Sequence, residues 1–232
     1  MGSLLDAEQA GMASRAALKD GYLGLEAHIG ELERLLQTAR MQEGARLQVE
    51  LELSVMKTAR GGEAAIGRRL EEIDQRLTSP ILLPAQREAM RDEHEALKQV
   101  REFFVPLHTR MEDIVLVELG GSLDPTLALT YSLEKKSLAL FCDGAAQLEA
   151  SILENEQQLA AGVSTPDLAT QLTLETALLE ATRGGVTAIE ARIAYLENLR
   201  QVARLLPEAL ENILIEEKVL ASIAREITAG AG

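Results

Sequence analysis

Two copies of one short motif are the residues best placed to do chemistry in this chain. Arg60-Gly61-Gly62 and Arg183-Gly184-Gly185 each put a guanidinium beside backbone N–H groups that no side chain shields. A guanidinium fork and exposed N–H groups are both suited to binding a small anion. The functional interpretation is therefore a pseudo-symmetric anion-binding site carried by Arg60 and Arg183.

The same motif also has a structural interpretation. Two glycines inside a helix cost about 2 kcal/mol relative to alanine, so something should compensate in both copies. Close approach of two backbones, or a break in the helix, would explain them. An arginine in an acidic helical protein also has many carboxylates with which to pair. We favour the structural interpretation and keep the anion site as the alternative.

Other reactive side chains do not form a recognised pattern. His28, His94 and His108 all lack the glutamate three residues earlier that di-iron helical bundles require. Cys142 is the only cysteine, which excludes an intramolecular disulfide and indicates an inert, partly buried thiol. Phosphate-binding loops, nucleophile elbows and zinc spacings do not occur in the sequence. We therefore expect no catalytic residues, no metal site and no cofactor.

Both copies of the arginine motif belong to a longer internal repeat. When the sequence is aligned with itself at a shift of 123 residues, positions 14–97 match positions 137–220 without a gap, with 26 identities in 84 positions. A repeat of this length predicts a duplicated structural unit. An Asp-Gly pair recurs and predicts a kink or helix junction, with Asp20 or Asp143 capping the next helix. Leu-Leu-Pro also recurs and predicts two core residues before a proline that begins a helix.

Apolar residues recur at helical spacing along both copies. Residues 47–55 alternate as a strand would, but their counterpart in the second copy fits a helix, so we assign helix to both. Glycine and proline breaks then predict three long helices in each copy. The predicted ranges are 14–41, 44–78 and 84–105 in the first copy, and 126–161, 166–203 and 207–228 in the second.

Three segments flank these helices. Thr165 is an expected N-cap, with Pro166 at the first helical position. Residues 114–119 lie outside the repeat and fit either a helix or a short strand. Residues 120–125 are rich in glycine and proline and predict a linker between the copies.

These features predict an all-α fold, a tandem duplication of a three-long-helix antiparallel unit that forms an elongated six-helix bundle. The expected domains are the first repeat at residues 1–119, the linker at 120–125 and the second repeat at 126–232.

A six-helix protein made of two such repeats resembles in outline the PhoU phosphate-signalling regulators, which carry a Glu-x-x-x-Asp metal motif in each repeat. Glu88 and Asp92 fit that spacing, whereas Glu211 is followed by Ile215 in the second copy. The resemblance covers helix number and length only, and it implies no metal ligands here.

Composition and charge narrow the class of function. Apolar residues make up 47% of the chain and aromatic residues only 3%, which favours close-packed helices over sheets. The net charge of −14 opposes binding to nucleic acid and to anionic membranes. No apolar stretch approaches 18 residues and the N-terminus does not resemble a signal peptide. A cytoplasmic location is expected, or a periplasmic one if a signal has been removed.

Residues 46–56 are apolar on nearly all sides, and residues 168–179 are only slightly more polar. A helix of this kind is normally buried, and a three-helix unit leaves one side open, so we expect a homo-oligomer. The expected function is a non-catalytic scaffold, adaptor or assembly protein, in a bacterial cytoplasm, that acts through protein–protein contacts. The alternative is a helical sensor that holds a small anion between the copies through Arg60 and Arg183.

Overall fold

The computed structural model describes residues 6–121, 123–162 and 165–232, and every regular element in these ranges is an α-helix. The all-α prediction is confirmed, and residues 47–55 are helical. Residues 1–5 of the first predicted domain and Ser122 of the predicted linker lie outside the described ranges. The helices are α1 (Ala7–Lys19), α2 (Gly21–Thr38), α3 (Glu43–Arg60), α4 (Gly62–Leu77), α5 (Pro84–Glu102), α6 (Val105–Leu119), α7 (Pro125–Asp143), α8 (Ala145–Ala161), α9 (Pro166–Arg183), α10 (Gly185–Val202) and α11 (Pro207–Ala231).

Four of the six predicted long helices are each divided into two helices, at the Asp-Gly and Arg-Gly-Gly motifs where the sequence had allowed a junction or a break. α1 is separated from α2 at Asp20, and α3 from α4 at Gly61. The second half breaks in the same way, between α7 and α8 at Gly144 and between α9 and α10 at Gly184. A glycine with positive φ lies at each break and redirects the chain without steric strain.

Some helix ends follow the predicted capping chemistry and others do not. The Thr165 hydroxyl accepts a hydrogen bond from the Leu168 N–H at 3.3 Å, and Pro166 begins α9, as predicted. The Asp-Gly pairs do mark helix junctions. Within the described ranges, however, Asp20 makes no capping hydrogen bond to α2, and Asp143 is the last residue of α7 rather than a cap of α8. Here backbone geometry, not a side-chain cap, ends one helix and begins the next.

The α6 helix includes residues 114–119, so the helix alternative for this segment is correct. It lies outside the repeat and packs on α7 and α11. Ile114 is fully buried. Arg110 donates from Nε and Nη2 to the two carboxylate oxygens of Glu134 on α7, at 2.6 and 3.0 Å. This buried bidentate pair fixes α6 against the second half of the chain.

One hydrophobic core extends through both halves of the described chain. α1 packs on α11, α4 on α7 and α2 on α10. Aromatic residues concentrate at this junction: the ring of Phe141 lies 4.9 Å from that of Tyr22 and 6.1 Å from that of Phe103. The Tyr22 hydroxyl donates a 2.5 Å hydrogen bond to the Phe141 carbonyl. The two halves therefore share one core across their junction.

At two crossings, the backbone of one half packs directly on the backbone of the other. Gly62, with φ of +73°, lies against residues 142–144, and Gly185, with φ of +69°, lies against residues 19–21. A Cβ at Gly62 would lie 2.6 Å from the Gly144 nitrogen, and one at Gly144 would lie 2.6 Å from the Gly61 carbonyl carbon. At the other crossing, a Cβ at Gly185 would overlap the backbone nitrogen of Gly21. Each crossing thus joins the Asp-Gly pair of one half to the Arg-Gly-Gly motif of the other.

We predict that Gly62→Ala and Gly185→Ala each lower the free energy of unfolding by about 2–5 kcal/mol. Alanine would suffer the strain of a left-handed conformation and would overlap the facing backbone. Gly30→Ala in α2 and Gly67→Ala in α4 are matched controls, because a Cβ there meets nothing within 4 Å. The controls should raise the free energy of unfolding by about 0.5–1 kcal/mol. Urea denaturation of the four variants tests this, and crossing variants as stable as the parent would contradict it.

Candidate functional site

Arg60 and Arg183, the predicted anion-binding residues, belong to different crossings. They are the last residues of α3 and α9, and each precedes the glycines of its own crossing. Arg60 is exposed, whereas Arg183 is partly buried, with Nη1 3.8 Å from Glu149 Oε1. The Arg183 Nε is buried and has no hydrogen-bond partner within the described part of the chain. Of the two arginines, only Arg183 therefore has a desolvated donor directed away from solvent.

The glycine backbone beside these arginines faces protein. The position that a Cβ of Gly62 would occupy is filled by backbone of residues 142–144, and the same holds for Gly185 and residues 19–21. An anion bound by these N–H groups would have to displace main chain from the other half. Both structural interpretations of the double glycines, helix break and close approach, describe this geometry.

Cys142 lies at the first crossing, where its carbonyl oxygen contacts Gly62. Its side chain is buried. Burial raises the pKa of the thiol from its ordinary value of 9.0 to about 12, and the nearby carboxylates of Glu63 and Asp143 add to the increase. Burial likewise raises the pKa of the Tyr22 hydroxyl. Because the thiolate is the reactive form, Cys142 is not activated as a nucleophile at neutral pH.

Two further buried arginine–glutamate pairs, not evident as pairs from the sequence, hold neighbouring helices together. Arg69 of α4 binds both carboxylate oxygens of Glu93 on α5, each at 2.9 Å. Arg192 of α10 binds Glu216 on α11 at 2.6 and 3.2 Å. Hydrogen bonds to the glutamates raise the pKa of both guanidinium groups. Since both oxygens of each carboxylate are bound, these glutamates act structurally rather than as acids or bases.

The repeat retains both members of each pair at equivalent positions, from which a pair could have been inferred. Arg69 aligns with Arg192, and Glu93 aligns with Glu216, at the shift of 123 residues. A charged residue that is retained at equivalent helical positions in both copies can indicate a buried partner. The sequence does not show which of many charged residues face each other, because that depends on how α4 packs on α5.

A groove of about 840 Å³ between α4 and α5 contains mixed charges. On its lining, His94 Nε2 lies 3.1 Å from Asp74 Oδ1. At one end, His108 Nε2 lies 2.5 Å from Glu63 Oε2. In the described ranges, no group of three or more His, Cys, Asp or Glu side chains could hold a metal ion. The two histidines are therefore paired with single carboxylates and do not converge on one centre.

A second groove, of about 320 Å³, lies between α9 and α11 and is acidic. Asp167, Glu208 and Glu211 line it together with the apolar side chains of Leu129 and Leu174. The groove thus combines an apolar lining with three carboxylates.

The Leu-Leu-Pro segments are only partly as predicted. Pro84 and Pro207 do begin α5 and α11. The second leucine of each segment is not a core residue, however: Leu83 is 63% exposed and Leu206 is 73% exposed. Ile81, in the same turn as Leu83, is 86% exposed. Both turns therefore present large apolar side chains to solvent, at equivalent positions of the repeat.

The apolar stripes that we expected to remain open are covered within the chain only in part. Leu51, Val55 and Met56 are buried in the common core, as are Leu178 and Leu179 of the second stripe. α1, α2 and α5 pack on α3, while α7, α8 and α11 pack on α9. Packing within the chain thus buries much of both stripes, although Leu47 and Leu168 stay exposed, and other exposed apolar side chains lie at the turns and on α6.

No protein-family model, curated protein or solved structure matches this chain. Among the described helices, none has both the length and the apolar character needed to cross a membrane.

We predict that the free energy of unfolding falls as the pH rises above about 9. The native state keeps the Cys142 proton up to about pH 12, whereas the unfolded chain releases it near pH 9, so the folded state binds more protons in this window. Each such proton contributes a slope of up to about 1.4 kcal/mol per pH unit. In urea denaturation between pH 8 and pH 11 (a range of roughly three units), Cys142→Ala should show a smaller slope than the parent. An unchanged slope would contradict the assignment to Cys142.

Proposed function

We propose that this chain is a tandem duplication of one helical unit that serves as a non-catalytic scaffold or assembly protein. It acts through protein–protein contacts, including contacts with copies of itself, in a bacterial cytoplasm. Each unit contains three long helical segments, of which the first two are broken at glycine. The units are α1–α5 and α7–α11, joined by α6 and the segment that follows it.

Helix ends support the duplication. α3 begins at residue 43 and ends at 60, and α9 begins at residue 166 and ends at 183, so both ends are shifted by 123 residues. α5 and α11 begin at residues 84 and 207, which differ by the same number. Chance similarity in sequence would not be expected to reproduce helix ends at the repeat spacing.

Contacts between equivalent positions support it further. Arg69–Glu93 and Arg192–Glu216 are the same pair in the two units. In the first unit, Gly11 lies against the side chain of Gln99, so that a Cβ on the glycine would be 3.1 Å from the Gln99 Cδ. The equivalent positions hold Glu134 and Ser222, which are joined by a 2.6 Å hydrogen bond. In the first unit a glycine faces a glutamine, and in the second a glutamate faces a serine, so a small residue faces a long one in both.

The observation that carries the scaffold function is the exposure of Leu83 and Leu206. Burying a leucine side chain contributes about 1.5–3 kcal/mol, so leaving one in water at both equivalent turns forgoes stability twice. Single exposed apolar residues are common, but adjacent ones at a turn mark a contact surface. Ile81 adjoins Leu83, and Val202 and Leu210 adjoin Leu206; all are exposed. A chain with two such apolar turns can make contact with other proteins at both of them.

The chemistry of the charged groups supports a non-catalytic role. The buried glutamates are bound by arginine, lysine or hydroxyl groups, and the one cysteine is held as a thiol by burial. These contacts engage the buried carboxylates in the packing of the helices, which supports a role in protein contacts rather than in catalysis.

We predict that the protein self-associates and that the double variant Leu83→Ser/Leu206→Ser associates at least roughly tenfold more weakly, because removing two buried apolar anchors removes the main driving force. Leu23→Ser/Leu153→Ser is the matched control, since those leucines are also about half exposed but lie inside α2 and α8. Sedimentation velocity across a concentration series measures the change. A parent that keeps the monomer mass throughout would contradict self-association.

The alternative function, a small-anion sensor, is favoured by one observation, the unpartnered buried Nε of Arg183. If an anion binds there, phosphate or sulfate should raise the melting temperature of the parent, and Arg183→Gln should abolish that shift. Arg60→Gln tests whether the exposed counterpart contributes. A thermal-shift series in both anions, with chloride at equal ionic strength as control, makes the measurement. No anion-specific shift in the parent would rule against this alternative.

A further inference from the structure

The turn between α4 and α5 and the first part of α11 carry opposite charges. Residues 75–87, around the α4–α5 turn, include two arginines and no acidic residue. Residues 205–217, which begin at the α10–α11 turn, include four glutamates and no basic residue. In a chain with a net charge of −14, the first of these segments is an exception.

Within this basic segment, residues 76–87 form a turn that is held by hydrogen bonds and carries exposed apolar side chains. We call these residues the tip. Arg87 donates hydrogen bonds from Nη1 to the Leu77 carbonyl at 2.8 Å and from Nη2 to the Ser79 carbonyl at 2.9 Å. These bonds hold the turn that presents Ile81 and Leu83 to solvent. Arg76 is exposed at the end of α4. The tip is therefore preorganised, with apolar side chains beside a guanidinium.

The acidic groove of the α9–α11 pair has the complementary character. Its lining combines Leu129 and Leu174 with the carboxylates of Asp167, Glu208 and Glu211. The first half cannot form the same surface, because residues 44 and 85, which align with Asp167 and Glu208, are glycine and alanine. Residues 199 and 210, which align with Arg76 and Arg87, are both leucine. The acidic groove thus belongs to the second half alone, whereas the turn equivalent to the tip carries Arg200, Arg204 and Glu208 in place of Arg76 and Arg87.

We propose that the tip of one copy docks in the acidic groove of a second copy. Ile81 and Leu83 would contact Leu129 and Leu174, and Arg76 would face the three carboxylates. This inference rests on the proposed scaffold function and names its partner. Two tips would bring arginines together and two grooves would bring carboxylates together, so only tip against groove is complementary in charge.

The symmetry of the assembly follows from this geometry. Tip and groove are different surfaces of one chain, so each copy has one of each to offer. Such a heterologous contact builds a ring where the rotation closes and a filament where it does not, rather than an isologous dimer. The contact should weaken as salt increases, because part of it is electrostatic and lies near the surface.

Two variants with complementary defects test the contact. Ile81→Ser/Leu83→Ser removes the tip, and Glu208→Lys/Glu211→Lys reverses the groove. Each variant alone should associate at least roughly tenfold more weakly than the parent. An equimolar mixture should form a 1:1 dimer that grows no further, since one intact tip and one intact groove remain. Glu26→Lys/Glu31→Lys in α2 is the control, because it changes the net charge equally on another exposed surface and should associate like the parent.

Sedimentation equilibrium of the single proteins and the mixture gives the result, with circular dichroism to show that each variant is folded. A mixture of folded variants that stays monomeric, or a tip variant that associates like the parent, overturns the proposed contact but leaves self-association through other surfaces intact. A monomeric parent overturns the contact and self-association together. Co-sedimentation of the parent with vesicles of phosphatidylcholine and phosphatidylserine, lost in the tip variant, would assign the tip to a lipid surface instead and also overturn the proposal.

Discussion

Main chain packed on main chain is the constraint on which the rest of this structure depends. At each crossing, two backbones approach so closely that a single Cβ on Gly62 or Gly185 would overlap the other half. Such an approach is open only to glycine, and the left-handed φ at both positions favours glycine again. The crossings are reciprocal, since each half supplies one Asp-Gly pair and one Arg-Gly-Gly motif. These backbone contacts alone therefore restrict how the two halves can be placed relative to each other.

The surrounding packing follows from that position. With the backbones in contact, Tyr22 of one half reaches the ring and carbonyl of Phe141 in the other. α1 lies along α11, and a single core forms across both halves. Buried bidentate pairs such as Arg192–Glu216 then link neighbouring helices within this frame. Losing one member of such a pair would leave a charge buried without its partner, which typically costs about 3–5 kcal/mol. These pairs therefore favour one helix arrangement over others.

The repeat contains both positions that stabilise the fold and positions that shape its surface. Positions retained in both units, such as Arg69 and Arg192, are engaged in internal contacts. Some positions that differ, such as Arg76 and Glu208, lie at the surface. A duplicated core can retain its packing while each copy acquires its own surface charge, because exposed residues contribute little to folding. In the duplication that we propose, such a division would let two similar units present different surfaces, the basic tip on one and the acidic groove on the other.

The sequence by itself determined the helical class and the spacing of the repeat, and glycine and proline marked most helix ends, because apolar periodicity, glycine and proline act locally. The break between α5 and α6 was not marked in this way. The sequence also marked Gly62 and Gly185 as unusual. Only the tertiary structure decided what they contact, since a crossing joins residues about 80 to 160 positions apart (Gly62 with Gly144, Gly21 with Gly185) that no local pattern relates. The same holds for the stripe at residues 46–56, which looks open in an isolated unit, whereas in the folded chain Leu51, Val55 and Met56 are buried and Leu47 stays exposed. Leu83 and Leu206 show the opposite outcome: they were expected in the core but are exposed. Burial depends on which elements lie opposite a residue, and that is a property of the whole fold.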